Sequence, residues 1–93
     1  FPDYFAALAA RRVVAAAAAD PRTHELAGPY LRPLGISSLL DAPVHLDGRV
    51  AGVVCHEAVG PPRAWTPEEQ DFAAAVADLV ALRLKAAELA DLR

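Results

Sequence analysis

Few side chains in this sequence could do covalent or acid–base chemistry. They are one cysteine, Cys55, three histidines, His24, His45 and His56, and the acid Asp41. A single cysteine excludes a disulfide within the chain. Metal binding needs several ligands converging at about 2 Å. The histidines are too far apart in sequence to promise that, so no metal site is expected, and all three read as ordinary loop or surface residues. Asp41 is expected two residues diagonal from His56 across a hairpin, close enough to suggest an acid–base pair. No nucleophile or oxyanion donor accompanies them, so Asp41 reads as structural or as pocket polarity, and no catalytic residue is assigned.

The elements that must position these residues are marked by local signals. Asp47-Gly48 lies between two aliphatic runs and predicts a two-residue hairpin loop, because both residues tolerate positive φ. A regular register from that loop pairs Leu46 with Arg49, Val44 with Ala51, Ala42 with Val53 and Leu40 with Cys55 on one, mostly apolar face. The other face carries His45 with Val50, Pro43 with Gly52, Asp41 with Val54 and Leu39 with His56. Cys55 is then a small buried core residue with an inert thiol. Pro43 lacks an N–H and must sit at an edge or a bulge.

Thr66-Pro67-Glu68-Glu69 is a capping box with proline at the first helical position. It predicts a helix over 67–92. Val76, Val80 and Leu84 form one apolar stripe on it. Phe72, Ala75, Leu79, Leu82, Ala86 and Leu89 form a second, heptad-like stripe. One stripe can cover the hairpin and the other can meet a second subunit. Trp65 is expected to pack over the helix start with its N–H bonded.

Upstream, Asp3 is expected to cap a helix that places Tyr4, Phe5, Leu8 and Ala9 on one face. Beyond it, Ala-rich residues 12–19 suit helix by propensity, whereas Val13-Val14 suits a strand. Residues 21–35 read as irregular, with short helical turns stopped at Gly28-Pro29 and again at Pro33 and Gly35.

Ninety-three residues make one small domain, 1–93. A composition 55% hydrophobic and 23% charged excludes simple disorder. An alanine-rich core buries little area per residue, so a partner surface is expected. At a net charge of −3, with basic residues scattered, the chain lacks the basic stripe that phosphate neutralisation requires, and nucleic-acid contact is not expected. No apolar run approaches the length of a membrane span. A chain that starts with Phe-Pro and holds no methionine is expected to be a fragment, and a cytoplasmic compartment fits the single cysteine.

The segments YFAALAARRV, DPRTHEL, YLRPLGISSLLDAPV, GRVAGVVCHEAVG and RAWTPEEQDFAAAVADLVAL occur in an order that resembles the C-terminal portion of a GAF domain. The resemblance covers about residues 3 to 92. It implies an α/β (α+β) fold akin to PAS domains: an antiparallel sheet with dimerising helices on one face and loops enclosing a ligand pocket on the other. It also implies truncation at the N-terminus, because the first helix and strands of that pattern have no counterpart here. It favours a helix to about Arg11 and a strand to about Ala19.

The implied function is small-molecule sensing in a bacterial signalling protein. A homodimer formed through helix 67–92 relays the signal to an output domain, often a histidine kinase or a diguanylate cyclase, and the domain itself is not an enzyme. Tyr30, Asp41, His45 and His56 are the expected ligand-lining residues. Phe72, Leu79, Leu82 and Leu89 are the expected dimer contacts. No cofactor is assigned. Residues 21–35 lack a bilin-attaching cysteine, the Asn-Lys-Phe pattern of cyclic-nucleotide binders is missing, and one cysteine cannot form the disulfide of the sulfoxide-reducing relatives. His24 is the residue placed where some relatives bind haem. Three rivals stand beside this reading: a ligand-free dimerisation module, the effector-binding domain of a transcription regulator, and a redox enzyme using Cys55.

Overall fold

The computed structural model describes residues 1–92. An N-terminal helix, Pro2–Ala10, leads into strand β1, Val14–Ala17. A chain of short helical turns fills residues 21–34. Strands β2, Ile36–Leu46, and β3, Arg49–Val59, form a long hairpin, and the long helix Pro67–Ala90 follows. The three strands make an antiparallel sheet in the order β1-β2-β3, with β2 central. The long helix covers one face of the sheet. The N-terminal helix and segment 21–34 cover the other. The fold is the mixed α/β architecture expected from the sequence.

The N-terminal helix ends at Ala10, where Arg11 turns extended, and the β-branched pair Val13-Val14 then enters the sheet. Here tertiary pairing overrides the helix propensity of the alanines, with Val14 opposite Asp41 and Ala17 opposite Ser38. Asp3 is not the cap. The helix begins one residue earlier, and the amide of Tyr4 donates to the Glu25 carboxylate at 2.9 Å. A distant side chain thus satisfies an orphan donor of the first turn.

In segment 21–34, Gly28-Pro29 does not stop the helical path. The turn widens to a π turn over Ala27–Leu31, and the segment stops only at Gly35, with φ 69°. Asp20 starts it by accepting from the Arg22 amide at 2.8 Å and pairing with the Arg22 guanidinium, which also donates to the carbonyl of Ala15 on edge strand β1 at 2.9 Å.

Asp47 and Gly48 both have positive φ, 53° and 78°, which is the geometry of the predicted two-residue turn. The register from that turn is regular only as far as His45 opposite Val50. Ala51 is then extra on β3, and Val44 pairs with Gly52. This bulge shifts the pairs that follow by one residue as far as Ser38 with Ala58: Ala42 with Val54, Asp41 with Cys55, Leu40 with His56, Leu39 with Glu57; a second irregularity between Ser38 and Ile36 then restores the offset. Because side chains alternate faces, one inserted residue exchanges the two sides of β3. Cys55 leaves the helix-covered face and His56 enters it, the reverse of the regular register. Cys55 is exposed, not a buried core residue. Pro43 lies beyond the last β1 pair and beside the bulge, where a missing donor is tolerated.

The long helix carries the predicted capping box. The amide of Glu69 donates to Thr66 Oγ1 at 3.1 Å, and the amide of Thr66 donates to Glu69 Oε1 at 2.9 Å. A cap of this kind stabilises by about 1 kcal/mol. The helix ends at Ala90, two residues before the expected limit.

The helix seats on the sheet through Ala73, Ala74 and Ala77, flanked by Val80 and Ala81, against Leu40, Ala42 and Val44. The expected inner stripe of Val76, Val80 and Leu84 is therefore corrected. Small residues let the backbones approach closely, and Leu84 stays 43% exposed. The opposite stripe points to solvent: Phe72, Leu79, Leu82 and Leu89 are 54–68% exposed. Lys85 pairs with Asp47 at 3.0 Å, so the hairpin tip reaches that turn of the helix. Trp65 is half-buried against the helix face, its ring under the Arg63 guanidinium at 4.3 Å. Its Nε1–H is buried without a partner among the described residues, contrary to expectation.

Candidate functional site

On the face of the sheet away from the long helix lies a cavity of about 430 Å³. The N-terminal helix contributes Tyr4 and Phe5, beside Phe1. Segment 21–34 contributes Leu26, Pro29 and Tyr30. The two hairpin strands contribute Leu39, Asp41, Cys55 and Glu57. Its lining residues Tyr4, Leu26 and Leu39 belong to a core cluster that also holds Leu8, Val14 and Leu31, each of these three fully buried. That packing fixes the helix against the sheet and so fixes Tyr4.

The polar groups form two pairs. The Tyr4 hydroxyl donates to Asp41 Oδ2 at 2.5 Å. The Tyr30 hydroxyl donates to Glu57 Oε1 at 2.6 Å. Asp41 is only 3% exposed, and its second oxygen, Oδ1, is buried without a hydrogen-bond partner among the described residues. Burial raises the Asp41 carboxyl above the usual carboxylate range, against the opposing pull of the Tyr4 hydroxyl and the Cys55 thiol. Burial, then the neighbouring Asp41 charge, pushes the Cys55 thiol up to about 12, and burial with the Asp41 bond raises Tyr4 as well. The bond to Glu57 pushes Tyr30 up to about 12. At neutral pH the thiol and both phenols are therefore protonated. Among the described residues no cation adjoins Cys55, and the neighbouring Asp41 and Glu57 carboxylates disfavour its thiolate.

Of the four residues expected to line a ligand site, the structure brings Tyr30 and Asp41 together in this cavity. His45 lies elsewhere, in an open recess at the hairpin tip with Asp47, Asp78 and Lys85. The bulge sends His56 to the helix side, among Leu40, Trp65, Glu68, Glu69 and Phe72, with its Nδ1 3.2 Å from the Leu40 carbonyl. Asp41 and His56 are thus on opposite faces of the sheet and form no acid–base pair. His24 sits at the surface near Asp3, its Nε2 3.8 Å from the carboxylate. No group of three or more potential metal ligands converges among the described residues.

Sequence reasoning did not find Tyr4, Phe5, Cys55 or Glu57 at this site. Tyr4 and Phe5 are adjacent aromatics on the N-terminal helix, which is the signal the sequence offers, and their rings lie 5.4 Å apart. Cys55 and Glu57 depended on a bulge that no residue type announces.

A sheet with a long helix on one side and a helix-walled cavity on the other defines a small α/β domain. The sequence matches the GAF domain family over residues 3–84, most of its length, and the chain belongs to that family. It is accordingly a sensory or regulatory domain in the general sense. No individual curated protein matches it. No helix among the described residues is long and apolar enough to cross a membrane.

Proposed function

We propose that this chain is the small-molecule-sensing and dimerising domain of a bacterial, cytoplasmic signal-transduction protein. A ligand enters the cavity bounded by Tyr30 and Asp41 and biases the sheet. The long helix passes that bias to a second copy and so to an output domain of the histidine kinase or diguanylate cyclase kind. The domain itself does no catalysis, and it touches neither nucleic acid nor membrane.

The observation that carries this reading is an opposition across the sheet. A cavity with an unsatisfied buried carboxylate oxygen lies on one side, and an exposed apolar stripe runs along the far side of the long helix on the other. Phe72, Ala75, Leu79, Leu82, Ala86 and Leu89 form an exposed seam at three- and four-residue steps, which suits a paired helix better than water. The same seam would serve a dimerisation module that binds nothing. The open cavity favours sensing over that alternative.

Sedimentation equilibrium tests the seam. Wild type is expected as a dimer. Leu79→Glu or Leu82→Glu should raise the dissociation constant at least about a hundredfold, because an unpaired charge buried at the seam costs about 3–5 kcal/mol. An unchanged dimer mass in both variants would remove the seam from the interface.

A further inference from the structure

We propose that the cavity takes a small organic ammonium ion with an apolar, preferably aromatic, body. This rests on the sensing reading and names its ligand class.

Among the described residues, every polar side chain that lines the cavity accepts or is already committed, save the weak S–H donor of Cys55, which lies beside Asp41. The hydroxyls of Tyr4 and Tyr30 are spent on Asp41 and Glu57. What remains for a ligand is carboxylate oxygen, above all Asp41 Oδ1, which is nine-tenths buried with its residue and has no donor. A buried acceptor left unpaired is costly, and a charged N–H donor is its strongest partner. No lysine or arginine among the described residues lines the cavity, so a phosphate or carboxylate there would meet two acids.

The walls agree with that polarity. The rings of Tyr4, Phe5 and Tyr30 surround the space, and aromatic faces attract cations. The volume of about 430 Å³ lies in the usual range for small-molecule sites. Burial disfavours the ionised form of Asp41, and a bound ammonium would restore it by direct pairing.

Three probes of one shape and different charge test the assignment on the whole chain: 2-phenylethylammonium, 2-phenylethanol and phenylacetate, followed by calorimetry and by amide chemical shifts. The amine should bind, moving the resonances of Tyr4, Asp41 and Cys55. The alcohol should bind about tenfold more weakly or worse, and phenylacetate not measurably, because a charged hydrogen bond is lost or reversed. Asp41→Asn should weaken the amine about tenfold and leave the alcohol unchanged. Glu57→Gln, at an exposed position that folding tolerates, should weaken the amine alone and serves if the first variant does not fold.

Equal binding of alcohol and amine, or shifts outside the cavity, overturns the ammonium assignment. So does the absence of amine binding. In that last case a thermal-shift screen separates the two readings. A neutral or anionic hit sinks only the ligand class, whereas no hit at all brings down the sensing reading as well.

Discussion

On the helix side of the sheet, Leu40, Ala42 and Val44 meet Ala73, Ala74 and Ala77, so the helix contributes nothing wider than an alanine to the centre of the contact. On the other side, the neighbouring residues Leu39 and Asp41 look towards Tyr4, Tyr30 and Glu57 across an open space. Both faces are built from the same strands. One is closed by small side chains and has no polar atom to satisfy in its alanine seat. The other is held apart by aromatic rings and keeps a carboxylate in its wall. The difference teaches that packing and function have been divided between two sides of one ribbon. The division is made by a single extra residue, Ala51, which decides which side the later residues of β3, as far as Ala58, join.

The close-packed side should be the less forgiving. Leu40, 2% exposed, changed to Ala should cost about 2–5 kcal/mol in urea unfolding, since the alanine face opposite cannot move in to fill the gap. Ala77→Leu should cost about 1–3 kcal/mol by forcing the helix off the sheet. If Ala77→Leu were neutral, the helix would not be seated where the coordinates put it.

The turn that pins both faces comes next. Gly48, at φ 78°, changed to Val should lower stability by about 1–2 kcal/mol, because a β-branched side chain resists the left-handed region. An unaltered melting temperature would mean that the register is not anchored at this turn.

The smallest effect sharpens the comparison most directly. Cys55 should be alkylated in the folded chain without denaturant, because it faces the cavity and not the helix. The pH profile of that reaction should be displaced upward from 9.0 towards about 12. Asp41→Asn should bring it part of the way back. The sign for stability follows by linkage. The folded value lies above the unfolded one, so the contribution is whole below pH 9.0 and is lost as pH rises towards about 12. A thiol that reacts only after unfolding would return Cys55 to the helix side and dissolve the contrast between the faces.

Local chemistry made much of the fold legible. Asp47-Gly48 announces its turn by φ preference, Thr66 and Glu69 announce the helix start by mutual hydrogen bonding, and Val13-Val14 marks the entry into β1. The candidate site was legible only in part. Tyr30 and Asp41 lie on the cavity, whereas His45 and His56 lie in other surroundings, because the reading of faces assumed an unbroken alternation. The inner face of the long helix was misjudged for a related reason. Hydrophobicity ranks valine and leucine above alanine, but the seat against the sheet is governed by how closely the backbones approach, and alanine wins there.

The sequence by itself determined the hairpin, its turn, the long helix with its cap and the presence of two apolar stripes on that helix, since each depends on residues within a few positions of one another, but it left residues 12–19 open between helix and strand. Only the tertiary structure decided which β3 side chains face the cavity, that Tyr4 reaches Asp41 across 37 positions, and that alanines rather than leucines carry the helix on the sheet. Those outcomes depend on register and approach distance between segments far apart in the chain, and a one-residue shift at Ala51 is enough to reverse the first of them.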